Sequence, residues 1–389
     1  MNNKHKLMIV TNYFPPLVGG SQVIFYNLLQ DYQGEVMAVT AYAHGWNKDP
    51  EFQVSCETKY LNPPPFWPFT RYYTRLLRHI MPIIRIFISR QIKSWKPDII
   101  LAPYPSPEFL IPAYFSAKRA GIKFYVYMHD LWGENFHDEH YMAKLSNRYE
   151  KEILQGATRV FCITQAQANH YKDKFGIRPY ILPHSIPSKT LASMPKKIVP
   201  PTLESRTVLF IGHFSNVLNI DSVRTLSRAA KLLPEDLKIV FCTMPSYEEM
   251  ESRGVDTTRI ERRWLPRQEV QKLQSQANLL VVPLSFNEQF KSEISTVFST
   301  KLLEYLVSGR PILAIGPGYS FHTKSAREGN WAYVVDENDE KKIAEAIMNV
   351  IEDDQLAESL VSGALEEARK RNATIAAANL LEWMEEDLR

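Results

Sequence analysis

The chain has 389 residues, more than one core usually fills and enough for two of ordinary size. A hydrophobic share of 45% with 23% charged residues excludes a disordered or low-complexity chain. The net charge of +3 gives no case for a nucleic-acid partner, but it is uneven: residues 1–185 hold 21 Lys+Arg against 14 Asp+Glu, and the remainder holds 25 against 29. Three cysteines (Cys56, Cys162, Cys242) lack metal-ligand spacing and cannot all pair, which reads as a reducing compartment. Neither a signal peptide nor an apolar stretch of about eighteen residues is present, so a cytoplasmic protein is expected.

From Lys6 to Thr11 runs a short apolar strand that ends in Asn12-Tyr13-Phe14-Pro15-Pro16-Leu17-Val18-Gly19-Gly20-Ser21. A helical pattern follows, with Val23, Leu28 and Leu29 apolar. Strand, glycine turn and helix is how an open parallel sheet offers backbone N–H groups to a ligand, although no G-x-G-x-x-G is present. A second strand runs from Val36 to Ala43. Residues 59–97 then combine Pro63-Pro64-Pro65-Phe66-Trp67-Pro68-Phe69 with Arg71, Arg75, Arg78, Arg85, Arg90, Lys93 and Lys96, and no acid occurs from Tyr60 to Pro97. Arg71, Arg75, Arg78 and Arg85 share one helical face, Ile80, Ile83, Ile84, Phe87 and Ile88 supply an apolar one, and Pro82 interrupts or kinks the pattern. Two readings stand. Residues 66–96 lie against an anionic membrane surface, or they form a helix pair with its apolar face in the core and its arginines solvated.

A strand from Pro97, a helix from Ile111 to Arg119 and a strand from Lys123 to Met128 lead to His129-Asp130. A His-Asp pair at the carboxyl end of a parallel strand stands where ligands sit in open α/β sheets. His129 is either a ligand contact or a structural turn residue. The nearby Glu134, His137, Asp138, Glu139 and His140 match no standard metal spacing, and no metal is expected. A helix from Met142 to Ile153, a strand from Arg159 to Thr164, a helix to Phe175 and a strand from Tyr180 to Pro183 close this half. Residues 186–206, rich in proline, read as a linker.

The alternation restarts with a strand from Thr207 to Ile211 that ends at Gly212-His213. Strands from Leu237 to Thr243, Arg259 to Leu265 and Leu279 to Val282 follow, with helices between. Ser299 to Gly316 reads as a short helix, a glycine stop at Gly309 and a buried strand. Ser299 or Thr300 is the natural N-cap, and Lys301 adds positive charge to the free N–H groups there, an anion-favouring end. Glu304, one turn on, can accept two hydroxyl hydrogen bonds. The alternative is a solvated Lys301–Glu304 ion pair. A strand from Trp331, a helix from Glu340 to Ile351 and a helical tail from Asp354 to Leu388 complete the chain.

Two α/β halves joined by a linker and finished by a long helix resemble a GT-B glycosyltransferase, and more narrowly the retaining family 4. Four signals carry this, in order: Pro15-Pro16-Leu17-Val18-Gly19-Gly20, His129-Asp130, Gly212-His213, and Ser299-Thr300-Lys301-Leu302-Leu303-Glu304 through Gly309-Arg310-Pro311-Ile312. The resemblance implies an α/β fold of two Rossmann-like parallel-sheet domains facing across a cleft, with the C-terminal helix crossing back to the first. Residues 1–185 would bind the acceptor, 186–206 link, 207–370 bind the nucleotide sugar, and 371–389 form that helix. Catalysis would rest on His129, Asp130 and Lys301. The donor would meet Gly19, Gly20, Gly212, His213, Trp264, Leu265, Ser299, Thr300, Lys301 and Glu304, and the acceptor Tyr104, Ser106 and Glu108.

The partners implied are a nucleotide-diphosphate sugar, which is a substrate, and a glycan or lipid-linked acceptor in polysaccharide or glycoconjugate synthesis. No cofactor or metal is implied, and the anomeric configuration would be retained. The sequence departs from the family in two places. Thr296 stands where a second glutamate is usual, with Glu293 the nearest carboxylate, and Gly212 to Asp221 contains no Lys or Arg. Lys301, with Arg310 or Lys291, is the nominee for the missing phosphate charge. The rival readings are a catalytically silent assembly module and a nucleotide-sugar epimerase on the same fold.

Overall fold

The computed structural model describes residues 5–17, 19–41, 49, 52–61, 70–134, 140–199 and 206–389; the side chains of residues 70–78, 140 and 141 lie outside that description. The aromatic run at 63–69, the side chains of Arg71, Arg75, Arg78 and His140, and the 135–139 cluster therefore fall outside the described residues. The chain divides into two compact units, residues 1–188 with 373–389, and residues 189–372.

In the first unit seven parallel strands form one sheet: β1 (Lys6–Val10), β2 (Glu35–Ala41), β3 (Glu57–Leu61), β4 (Ile99–Tyr104), β5 (Lys123–Met128), β6 (Arg159–Cys162) and β7 (Tyr180–Ile181). Their order is β3-β2-β1-β4-β5-β6-β7. β4 is buried at all six positions, as expected of a strand covered by helices on both faces. β3 is partly exposed and carries Glu57 and Lys59, so it has no apolar run to mark it, and its last three residues fall within the basic segment 59–97. The helices are α1 (Gly20–Gln30), α2 (Thr70–Trp95), α3 (Pro107–Ala120), α4 (His140–Gly156), α5 (Gln165–Phe175) and, at the boundary of the two units, α6 (Ser188–Ser193). α2 runs unbroken through Pro82, contrary to the expected interruption. Ile84, Ile88 and Ile92, spaced by four, form its buried stripe and hold it on the core.

The second unit holds six parallel strands, β8 (Arg206–Ile211), β9 (Leu237–Cys242), β10 (Ile260–Arg263), β11 (Leu279–Pro283), β12 (Ile312–Ile315) and β13 (Tyr333–Val335), in the order β10-β9-β8-β11-β12-β13. Its helices are α7 (Ile220–Ala229), α8 (Tyr247–Ser252), α9 (Arg267–Gln276), α10 (Lys291–Thr296), α11 (Lys301–Leu306), α12 (Phe321–Gly329), α13 (Glu340–Glu352) and α14 (Asp354–Lys370). Three residues past α11 stands Gly309, whose φ of 70° lies in the left-handed region. A Cβ there would stand 2.6 Å from Pro195, so glycine is required twice over. The segment before β8 packs on this turn through the Val199 N–H, which donates to the Gly309 carbonyl.

The expected helical tail is two helices, α14 and α15 (Ala373–Leu388), and α15 belongs to the first unit. Trp383 stacks on Phe161 at 5.1 Å, and Tyr125 donates to the Asp387 carboxylate at 2.6 Å. Arg159, its side chain 6% exposed, donates to Asp387 at 2.6 Å and to Glu386 at 2.7 Å. A buried guanidinium that donates to two carboxylates of α15 ties that helix to its sheet. No helix among the described residues is long and apolar enough to cross a membrane.

Candidate active site

In the first unit the strand order reverses between β1 and β4, and a crevice opens at the carboxyl ends of such a pair. Asn12, two residues past β1, donates from Nδ2 to Glu108 Oε1 at 2.8 Å, bridging that point. Glu108 lies in the first turn of α3; burial pushes its carboxyl up to about 7 against the pull of its hydrogen bonds, so it is half protonated near neutrality. The other two expected acceptor contacts, Tyr104 and Ser106, are both buried. The Tyr104 ring is fully buried, stacked on Trp132 at 5.4 Å, because it closes a strand covered on both faces. Ser106 is 4% exposed and stands at the N-cap of α3, its carbonyl accepting from Phe109 and Leu110.

His129 follows β5 and is 4% exposed. Its Nδ1 lies 3.1 Å from Ser21 Oγ, one residue past Gly20, and its ring stands edge-on to Tyr127 at 4.4 Å. Among the described residues its buried Nε2 has no hydrogen-bond partner. Burial lowers the ring to about 3, so it is neutral at pH 7. Only burial shifts it. Asp130, the next residue, is half-buried. Gly19 has extended backbone (φ 175°) and caps α1, while a Cβ on Gly20 would meet no atom within 4 Å. Glu134 is held by His170 and Lys174, each at 3.0 Å.

The second unit reverses its strand order between β8 and β11. Tyr305 of α11 accepts from the Ile211 N–H at 3.1 Å, which sets this helix against the end of β8. The Lys301 ammonium then packs on Gly212, where any Cβ would collide with it. Among the described residues Lys301 has no ion pair. Burial lowers it to about 8, with Glu304 pulling the other way. His213 is held below its usual value by burial, by Arg253 and by Lys301, which places both cationic groups near its loop. Arg253, at the end of α8, bonds the Phe214 carbonyl at 3.1 Å. It brings from a distant helix the positive charge that the Gly212 turn lacks, and no local pattern announces it.

Glu304 does not pair with Lys301. Its Oε1 takes Arg267 Nη2 at 3.0 Å, and its Oε2 takes the buried Gln274 at 3.3 Å. Arg267 opens α9 directly after Trp264 and Leu265, the expected base loop, so that loop and the carboxylate are mechanically joined. Trp264 is 62% exposed. The Ser299 amide donates to His322 Nε2 at 2.9 Å, and His322, lowered to about 3 by burial, is a neutral acceptor. Leu302 and Leu303 donate to the carbonyls of Ser299 and Thr300, which leaves the amides of Thr300 and Lys301. Thr300 caps a helix of only six residues and makes no side-chain cap bond, so the anion-favouring charge here is chiefly that of Lys301. Arg310 is 3% exposed and donates to the carbonyls of Val199 and Asn278, a structural role. Lys291 is held by Glu288 at 2.8 Å. Thr296 turns its hydroxyl onto the carbonyls of Ser292 and Glu293.

Two Rossmann-like units, each with a polar constellation at its switch point, define the GT-B glycosyltransferase class. The chain belongs to the GT-B glycosyltransferases of the family 4 and group 1 type. Residues 18–188 match Glycosyltransferase Family 4, and residues 205–353 match Glycosyl transferases group 1. Among solved structures it is similar to sucrose-phosphate synthase from Thermosynechococcus elongatus, at 14% identity and a TM-score of 0.73 over 98% of this chain and 99% of that one. Anabaena Alr3699/HepE in complex with UDP is similar at 14% identity and a TM-score of 0.66, over 98% and 100%. A putative UDP-N-acetylglucosamine 2-epimerase from Listeria monocytogenes is similar at 13% and 0.59, over 97% and 95%. No curated protein matches the chain by sequence.

Proposed function

We propose that the second unit binds a nucleoside diphosphate sugar, and that the protein transfers the sugar to a glycan or lipid-linked acceptor held by the first. One observation carries this reading: an unpaired, largely enclosed ammonium, Lys301, stands three residues before a carboxylate, Glu304, that Arg267 and Gln274 hold in place. The ammonium suits a diphosphate and the oriented carboxylate a ribose diol; Trp264 beside them offers a face to a base. Arg253 and Lys301 would stabilise the leaving diphosphate, so no metal is needed for that charge. Neutral His129, aligned by Ser21, would serve a sugar hydroxyl through Nε2. Retention of configuration, and work at the cytoplasmic membrane face in polysaccharide or glycoconjugate synthesis, complete the proposal.

Uridine nucleotides are the first donors to try, since HepE is solved with UDP and with UDP-glucose. Thermal shift with UDP, GDP and ADP and their glucose conjugates tests the donor. NMR of the product, with and without chelator, tests configuration and metal independence. No shift with any of the six would overturn the proposal. The epimerase reading has one fact in its favour, the fold shared with the Listeria protein. Conversion of a UDP-sugar to its epimer without acceptor would favour it.

A further inference from the structure

α11 carries the Lys301 ammonium and is pinned at both ends within the second unit. At one end Tyr305 accepts from the Ile211 N–H at 3.1 Å. At the other the Ser299 N–H donates to His322 Nε2 at 2.9 Å, while the Ser299 carbonyl accepts from Leu302 at 3.1 Å. The imidazole thus fixes the peptide two residues before Lys301. His322 is 1% exposed, so it acts through that peptide and not by touching a ligand.

The setting of that ring is rigid. Ser320 caps α12, its Oγ accepting from the Thr323 N–H at 3.1 Å, and the Thr323 hydroxyl donates to the Pro317 carbonyl at 2.8 Å. Ser320 and Thr323 are fully buried. The imidazole meets the Phe298 ring edge-on at 5.5 Å, and the Arg371 guanidinium lies over the same phenyl ring at 3.7 Å. Glu367 Oε1 holds Arg371 at 2.9 and 3.0 Å. Burial, and then the positive charge of Arg371, keep a second proton off His322. A protonated ring would have no lone pair for the Ser299 amide. Because Nε2 accepts, the ring proton sits on Nδ1, and among the described residues Nδ1 has no hydrogen-bond partner. A buried N–H without an acceptor costs stability. A leucine of similar volume would avoid that cost, so stability alone does not call for histidine here. Holding the Ser299 amide does.

We propose that His322 is a positioning residue for donor binding: as a neutral acceptor it sets the Ser299–Thr300 turn, and so the place from which Lys301 meets the diphosphate. This deepens the donor reading and rests on it. The full chain is titrated calorimetrically with UDP, GDP and ADP as wild type, as His322→Leu and as His322→Gln. Leucine keeps the bulk and loses the acceptor, whereas glutamine carries an oxygen near the place of Nε2. His322→Leu is expected to weaken the tightest of the three nucleotides by about tenfold, the equivalent of one buried hydrogen bond, with the melting temperature of the free protein little changed.

His322→Gln is expected to recover most of that affinity. In the free wild type, nitrogen NMR is expected to show the His322 ring neutral at pH 7 with its proton on Nδ1. Unchanged affinity in His322→Leu, a melting temperature that falls while affinity holds, no recovery in His322→Gln, or a ring proton on Nε2 would each overturn the proposal and leave the donor reading standing. A wild type that binds none of the three nucleotides would overturn both.

Discussion

Lys301 is costly to the free protein, and that cost can be measured. Burial lowers its ammonium from 10.5 to about 8. At about 1.4 kcal/mol per pKa unit, this corresponds to about 3 kcal/mol of strain on the folded state at neutral pH. Lys301→Met keeps the stem and removes the charge. It should therefore raise the unfolding free energy by up to about 3 kcal/mol in urea titrations near pH 7. The sign with pH is fixed by linkage. The unfolded chain holds more protons between about 8 and 10.5, so wild-type stability gains a contribution as pH rises through that window, and the variant lacks it. The same change should cost about 2 kcal/mol of UDP affinity, the loss of a charged hydrogen bond. Wild-type affinity should itself decline above pH about 8, where the free ammonium gives up its proton. A variant less stable than wild type, or one that binds UDP unchanged, would refute the reasoning.

Glu304→Ala should lower nucleotide affinity by roughly 1–3 kcal/mol in calorimetry and leave Arg267 without its 3.0 Å partner. Trp264→Ala should weaken nucleoside diphosphate binding by about 1 kcal/mol while leaving inorganic pyrophosphate binding unaltered, if the exposed ring stacks on the base. Glu108→Gln should stabilise the protein above pH about 7, where the buried carboxylate is charged, and have little effect below about 4.5, where the carboxyl is protonated in both states; urea midpoints at the two ends check it. Asp387→Ala leaves the buried Arg159 guanidinium short of its main partner and should cost about 3 kcal/mol, read as a lower melting temperature.

The parallel sheets were legible because their strands are buried on both faces: Ile99–Tyr104 is a plain apolar run, and Glu57–Leu61, an edge strand with charged residues, is not. The Gly309 stop was readable because a left-handed turn after a helix calls for glycine. Sequence also picked out Lys301 and Glu304, but it left open an ion pair between them, since spacing along a helix is all a sequence shows. Arg267 is 37 positions from Glu304 and wins it across the fold. Arg253 and His322 were invisible for the same reason. Tyr104 was ambiguous because a tyrosine at a strand's carboxyl end can point to the ligand or to the core; here its ring stacks on Trp132.

The most direct test of the account is a crystal structure of the protein with UDP bound. The account predicts the diphosphate within hydrogen-bond distance of Lys301 Nζ and the ribose hydroxyls on the Glu304 carboxylate. UDP lodged elsewhere on the chain, with Lys301 and Glu304 untouched, would contradict it.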